Sequence, residues 1–546
     1  MSKITEYLNE HILGEVTSAE SVRRQFARDG SVLSITPEIV AFPRVTNDIR
    51  KIARFTWQLA EKGHILPITM RGMGADTTGA AIGKGIIIDT IAHLNKIIYI
   101  NLKSKDQFVH VQPGVNLAVL REVLTSHGMD LPSIPDTAAI YTAGGALANN
   151  VSGSGSGMYG TFGSWVKRLE VVLANGDLIE TTRISRRELD KKKGLQTFEG
   201  EIYRKIDGII EDNQALIDEK ISDQVDNTGY ASIAKVKNRD GSFDLTPLII
   251  GSQGTLGIIS EAVIRTDFYN EEQSVLVATF AEKATAIQAA ALIAKENPAI
   301  LDVIDGELFD MARSLGKKYP FDGAAEVNSS IGAVIYVAFY DFSGGKRHRR
   351  VKHALKKLSK FEASILKGDD HPSEQLQAIR EVFSTLYMAE GKGETVPPLI
   401  DGSSVPVSRL DEFYSGLQEL ADKNHVKLPT LVQYMSGIVY ARPTLEMHNV
   451  ADKQKTFKLI NEYMALIAKV GGNLNVAAGE GRLKAAAAYA QIEPELMVVY
   501  EQIRQAFDPY GTLNHGVKQS NDLKTMIAQL DHDYSLGELA KYAPHN

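Results

Sequence analysis

The chain has no cysteine among its 546 residues, which excludes disulfides, iron–sulfur clusters and zinc held by thiolates. Redox chemistry, if present, must be carried by a bound organic cofactor. No apolar run approaches the roughly 18 residues that suggest a membrane span. Basic residues are not in excess: 60 Lys and Arg stand against 67 Asp and Glu, a formal net charge of -7. That balance argues against a general nucleic-acid binder, whose phosphate contacts need a basic surface. The segment MSKITEYLNEHILGEVTSAE carries acids and lacks a basic stretch followed by an apolar core, so it does not read as a secretory signal. The expected location is the cytoplasm.

What is present is a globular composition, 44% hydrophobic and 23% charged, within the usual soluble range. At about 150 residues per domain, the length calls for at least two. From residue 35 onward, short β-branched runs alternate with helical stretches: IVAFPRV, a helix over 47–62, then ILPITMRGMGADTTGAAIGKGIIIDT. VHVQPGV and a helix over 117–127 follow. The segment SIPDTAAIYTAGGALANNVSGSGSGMYGTFGSW is too rich in small residues for an element interior, and reads as backbone wrapped closely around something. WVKRLEVVLANGDLIETT reads as a strand, an Asn-Gly turn and a second strand. From about residue 269 the character changes. VLVATF, an alanine-rich helix ending near Asn297, IGAVIYVAFYDF and LVQYMSGIVYARP predict a second α+β domain with an antiparallel sheet.

Arg71, Gly72, Met73, Gly74, Ala75, Asp76 and Thr77 follow the strand ILPITM directly. A dinucleotide pyrophosphate needs converging backbone N–H groups, and glycine lets the backbone approach without a Cβ clash. A plain glycine turn has the same spelling. Gly155, Gly157 and Gly160 spell GxGxxG, but they follow a small-residue segment and lead into a strand. A Rossmann fingerprint follows a strand and opens a helix, so no nicotinamide site is read there.

Taken in order, AFPRVTNDIRKI, RGMGADTTGAA, PDTAAIYTAGGALANNVSGS, YGTFGSWVKRLEVVLANGD, GSQGTLGIISEAVIR and FDPYGTLNHGVK resemble the FAD-linked oxidases and dehydrogenases of the vanillyl-alcohol oxidase and p-cresol methylhydroxylase superfamily. The branch is that of D-lactate dehydrogenase and the glycolate oxidase subunit. The resemblance implies an α+β fold, with a two-subdomain FAD-binding domain and an antiparallel-sheet substrate (cap) domain. The implied division is an N-terminal helical segment over 1–35, the FAD-binding domain over 36–268, the cap domain over 269–492, and a segment over 493–546 that returns to the FAD-binding domain. In the loop that opens at Arg71, the resemblance assigns Gly72, Met73, Gly74, Ala75, Asp76 and Thr77 to the pyrophosphate. It assigns Pro135, Asp136, Thr137, Thr142, Gly144, Gly145, Asn149 and Gly153 to the cofactor lining, and Gly254, Gly257 and Ile259 to the adenosine half. Asn514 is implied to lie close to the flavin ring. Ala75 stands where covalent members carry a histidine, and there is no cysteine for a second link, so FAD is expected to be held non-covalently.

The resemblance weakens at the chemistry. Against a family stretch GEHGIGR, the chain reads Val476, Ala477, Ala478, Gly479, Glu480, Gly481, Arg482, without the family's histidine. Against GHxGDGNLHxRP it places Gln433 and Tyr440 where the two histidines that commonly hold a metal would stand. No catalytic metal is expected. The catalytic candidates are Tyr440, Arg442, Glu480 and His515, with Tyr434 and Arg482 nearby in sequence. Arg442 would supply a fork for a carboxylate. Tyr440 or Glu480 would take a hydroxyl proton while hydride moves to flavin. Read as one strand, LVQYMSGIVYARP puts Ser436, Ile438, Tyr440 and Arg442 on one side. The activity implied is oxidation of a small hydroxy acid or related alcohol. The alternatives are a sugar, polyol or lactone oxidoreductase of the same fold, or a turnover-deficient electron-transfer subunit. The run 346–361 reads as a basic amphipathic helix. It suits either an anionic membrane surface, where a quinone could accept electrons, or a solvated helix whose apolar stripe is in the core.

Overall fold

The computed structural model describes residues 2–103, 105–221, 229–270, 272–323, 331–382, 396–447, 449–474, 476–531 and 534. Near the start of the chain, Ile39–Phe42, Ile86–Asp89 and Ile68–Arg71 pair in parallel, as short runs of isoleucine buried on both faces do. Glu15–Thr17 adds an antiparallel edge to them. The first 35 residues are therefore not purely helical. Two helices, Ser2–His11 and Glu20–Gln25, flank that strand. A five-stranded antiparallel sheet follows, in the order Ile97–Asn101, Phe108–Val111, Ile258–Arg265, Val166–Val172, Leu178–Thr181. The last two strands form the hairpin expected at Asn-Gly, with Gly176 at φ +83.

The cap domain is built on seven antiparallel strands, in the order Ser364–Lys367, Ser274–Phe280, Ala333–Phe339, Ile300–Asp305, Thr430–Gln433, Ile438–Ala441, Ser403–Ser404. Strand alternation divides its side chains between two cores. Leu276, Ala278, Leu301 and Val303 enter one, and Val275, Val277, Ile300 and Ile304 the other. LVQYMSGIVYARP is not one strand but a hairpin, because residues 434–437 turn and Gly437 takes φ +70. After the cap, Pro494–Phe507 packs its apolar face into the core of the five-stranded sheet, and Leu513 bridges to Ile68. The end of the chain thus returns to the first domain.

The glycine-rich segment after Pro135 contains a helix, Ala143–Asn149, capped by the Thr142 hydroxyl on the Gly145 N–H. Gly157 lies in a four-residue helix against Met435, where a Cβ would come within 2.5 Å of that side chain. The basic run forms Gly344–Leu358, with Ala354 and Leu358 buried and Val351 and Leu355 packed on the cap core. Its apolar stripe is therefore spent inside the protein. Lys346 and Arg350 pair with Asp341, Arg347 with Glu272, and Lys357 with Glu296.

Candidate functional site

The loop after Ile68–Arg71 bounds a cleft between the two sheets of the first domain. Arg71, Gly72, Met73, Gly74, Ala75 and Asp76 line it from one side, Thr142, Gly144, Gly145 and Asn149 from another, and Gly254, Gly257 and Ile259 from a third. Several of these glycines leave no room for a side chain: a Cβ on Gly72 would meet the Thr142 hydroxyl at 2.3 Å, and Gly74, at φ +72, would meet the Arg71 guanidinium. Asp76 holds the loop by accepting from the Thr78 N–H, the Thr78 hydroxyl and the Ala80 N–H. Arg71 is a half-buried cation in the cleft wall. Burial pushes its pKa down, and Asp29 and Asp89 pull it back up. A dinucleotide's pyrophosphate fits such a wall, with bare backbone beside a fixed positive charge.

A second cavity, of about 140 Å³, lies between this cleft and the cap sheet. The two cavities share Ala75, Ile140 and Tyr141. Thr77, Pro135, Asp136 and Thr137 line the second cavity from the first domain, while Asp302, Arg380, Glu381, Asp401, Gln433, Tyr440 and Arg442 line it from the cap. Tyr440 and Arg442 reach it by alternation from one strand of the hairpin. Arg442 Nε donates to Asp401 Oδ2 at 2.7 Å, so this guanidinium already carries a carboxylate. Arg380 Nη2 donates to Asp136 at 2.8 Å, and its Nε donates to Asp302 at 3.3 Å. Burial pushes Asp302 up to about 7, against the pull of Arg380. Asp302 Oδ1, Asp401 Oδ1 and Gln433 Oε1 are buried and accept no hydrogen bond.

Several expectations fail at this site. Tyr440 does not ionise more readily: burial raises its pKa well above the ordinary value, and Tyr141, Asp401, Asp136 and Asp302 raise it further. A phenol so raised keeps its proton, which suits it to donate a hydrogen bond rather than to act as the base. Glu480 lines neither cavity; it is wholly buried and accepts from Tyr489 Oη and Lys518 Nζ. Arg482 donates to the Ile82 carbonyl, outside both cavities. His515 is exposed and lines neither cavity. Tyr434 faces an adjoining cavity. Gly153 packs beneath the site, where a Cβ would meet the Ile134 carbonyl at 2.9 Å. Asn514 supports the cleft from behind, donating to the Ala80 and Gln253 carbonyls. Gln433 and Tyr440 do share the second cavity, but among the described residues no group of three His, Asp or Glu side chains is placed to hold a metal.

Sequence reading missed Asp302, Arg380, Glu381 and Asp401. Asp302 is an acid inside the apolar strand ILDVID, with no motif around it. Arg380 ends the helix Ser373–Arg380, which carries no motif.

Comparison with known proteins matches residues 37–182 to the FAD binding domain family, and residues 269–517 to the C-terminal domain of FAD linked oxidases. The D-2-hydroxyglutarate dehydrogenase of Pantoea ananatis is 26% identical over 92% of this chain and 50% of its own length. The chain thus spans about half the length of that relative. The glycolate oxidase subunit GlcD of Bacillus subtilis is 23% identical over 90% of this chain and 91% of its own. The solved 4-ethylphenol oxidase of Gulosibacter chungangensis superimposes with a TM-score of 0.68 at 14% identity, covering 96% of this chain and 98% of its own, a likeness of fold.

Proposed function

The chain belongs to the FAD-linked oxidases, carrying their FAD binding domain and their C-terminal domain, and we propose that it oxidises the CH–OH group of a small hydroxy acid or related alcohol. The observation that carries this reading is the shared wall: the cofactor cleft and the polar cavity of the cap meet at Ala75, Ile140 and Tyr141. When bound, FAD supplies the hydride acceptor. The protein's part is to bind and orient the alcohol, and to hold its proton. Arg380 and Arg442 offer guanidinium groups to a carboxylate, and Tyr440 offers a phenol to a carbonyl or hydroxyl oxygen. D-2-Hydroxyglutarate and glycolate, named by the relatives, are both 2-hydroxy acids.

A specific observation favours a second reading, a neutral sugar, polyol or lactone. Both guanidinium groups already carry carboxylates, Asp136 and Asp302 on Arg380 and Asp401 on Arg442, and the bare buried atoms Asp302 Oδ1, Asp401 Oδ1 and Gln433 Oε1 call for hydroxyl donors. Anaerobic bleaching of the flavin against 2-hydroxy acids, polyols and sugars decides. Fastest bleaching by hydroxy acids supports the first reading, and by polyols or sugars the second. Bleaching by dithionite but by no alcohol abandons both. For the electron acceptor the reading is a quinone at an anionic membrane surface, supported by the exposed Arg349, Lys352 and Lys356 of Gly344–Leu358.

A further inference from the structure

We infer that Asp302 accepts the proton of the substrate hydroxyl, a role that rests on the oxidation proposed above. Alcohol oxidation needs such an acceptor: as the C–H pair leaves as hydride to bound FAD, the O–H proton must go to a base and the C=O bond forms. The cavity contains no histidine, and Tyr440 is held in its protonated form. The remaining groups are carboxylates, and their partners separate them. Asp401 shares with Asp302 a bare Oδ1 and a pKa raised by burial, but it is fixed by Arg442 at 2.7 Å and lies beside Lys484, two cations that oppose proton uptake. Asp136 accepts from both Arg380 and Ser154, and its side chain is one-third exposed. Glu381 accepts from Gln377 at 2.6 Å and sits just past a helix end rather than on the sheet.

Asp302 differs from all of these. It is 1% exposed, it stands opposite Gln433 in the register of the central strands, and among the described residues its side chain accepts from Arg380 alone, at 3.3 Å through Oδ2. The residue lines the cavity, and its other oxygen, Oδ1, is buried without a hydrogen-bond partner. The groups around it are Arg380 from the helix, Asp136 from the first domain, Tyr336 opposite it on the adjoining strand, Tyr340 just past that strand, and Tyr440 on the hairpin. Arg380 is shared with Asp136, which binds it more closely, so Asp302 is oriented without being locked as an ion pair. A carboxylate poised near neutrality by burial suits this task. The balanced step is substrate O–H to Asp302 carboxylate, C–H hydride to FAD, and release of the carbonyl product. Protonated Asp302 then returns its proton to water.

The test uses the FAD-loaded protein and the alcohol that bleaches it fastest. The limiting rate of flavin reduction in the parent is expected to rise with pH through about 7 and then level. Asp302→Asn is expected to lose on the order of 10²–10⁴-fold and the pH rise with it, while FAD content and the affinity for the carbonyl product stay within a few fold. Asp302→Glu should restore part of the rate with a displaced pH profile, and NMR of labelled aspartate should find, beside Asp29, a carboxyl titrating near neutrality in the parent that is absent from Asp302→Asn. Reduction of Asp302→Asn within tenfold of the parent, with the parent's pH profile, overturns the inference and leaves the oxidation standing. Should Asp302→Asn not retain FAD, an unchanged pH profile in Asp302→Glu overturns it equally. A parent that no alcohol reduces removes the oxidation and this role together.

Discussion

Glu480 and Lys518 form an ion pair with both side chains at zero exposure, 2.7 Å apart, beneath the loop that ends in Gly481. The Lys518 N–H also donates to the Gly481 carbonyl, and the Gly481 N–H donates to Gln253 Oε1. The pair thus fastens the end of the chain to the cap loop and to the cofactor cleft. Removing one charge leaves the other buried and alone, so Glu480→Gln should cost about 3–5 kcal/mol in denaturant unfolding, with the flavin spectrum of the folded fraction unchanged. A loss of rate without loss of stability would return Glu480 to the chemistry. Ala75, at the junction of the two cavities, presents only a methyl group. Denaturation should therefore release FAD into the supernatant, and flavin left on the precipitated chain would contradict non-covalent binding. The cleft residues were legible because close approach to a phosphate restricts residue type, and Gly72 and Gly74 admit nothing larger. Glu480 and His515 could not be sorted that way, because a loop spelling does not say which way a side chain turns. Asp302 was overlooked because a strand acid in an apolar run carries no motif of its own.

At the scale of elements, strong periodicity was readable, and short turns were not. The hairpin Thr430–Gln433 with Ile438–Ala441 looked like one strand because Tyr434, Met435, Ser436 and Gly437 contain no proline or Asn-Gly pair to mark the reversal. Alternation still held within the second strand, which is why Tyr440 and Arg442 reach the same cavity. Ala143–Asn149 was hidden for the opposite reason: Gly144 and Gly145, needed for close contact with Pro113 and the cleft, lower apparent helix propensity. In Gly344–Leu358 the helix and its stripe were both legible, but not the direction the stripe faces. With Val351, Leu355 and Leu358 on the core, any membrane contact must be electrostatic. The cations available for it are Arg349, Lys352 and Lys356, since Lys346, Arg347 and Arg350 are already paired with acids. Salt-sensitive binding to anionic vesicles is expected to disappear when those three are replaced by glutamine, at about 1 kcal/mol each. A parent protein that stays in solution with such vesicles at low salt rules out the surface contact.

Across the whole molecule, buried carboxyl groups set how stability responds to pH. Burial raises Asp29 and Asp302 to about 7, and it raises Asp89, Asp130, Asp305, Glu381, Asp401 and Asp508 in the same direction. Each binds its proton more tightly in the folded chain than at the unfolded value of 3.8 for Asp or 4.5 for Glu. Their contribution is complete below the unfolded pKa and is lost as pH rises through the folded one, at roughly 1.4 kcal/mol per unit of difference. Glu15, Glu188, Asp240 and Asp522 are shifted downward at the surface, where solvent screens their partners, and buried Asp207 is the acid that Lys193 and Lys237 pull down against burial. His515, whose exposed side chain is only partly desolvated, is lowered by that desolvation and by Arg504 and Arg482, and works in the opposite sense as a single group. Above pH 8 the buried Lys484, lowered by burial to about 8, also opposes the trend, because the folded chain favours its neutral form. The thermal midpoint of the FAD-free protein should therefore be higher at pH 5 than at pH 8, and flatten beyond it. Each kcal/mol corresponds to about 2–4 °C for a domain of roughly 200 residues. Asp29→Asn should shallow the fall between pH 5 and pH 8. A midpoint that climbs steadily over that interval in the parent would mean that these carboxyl groups are hydrated and ionised, in conflict with their burial here.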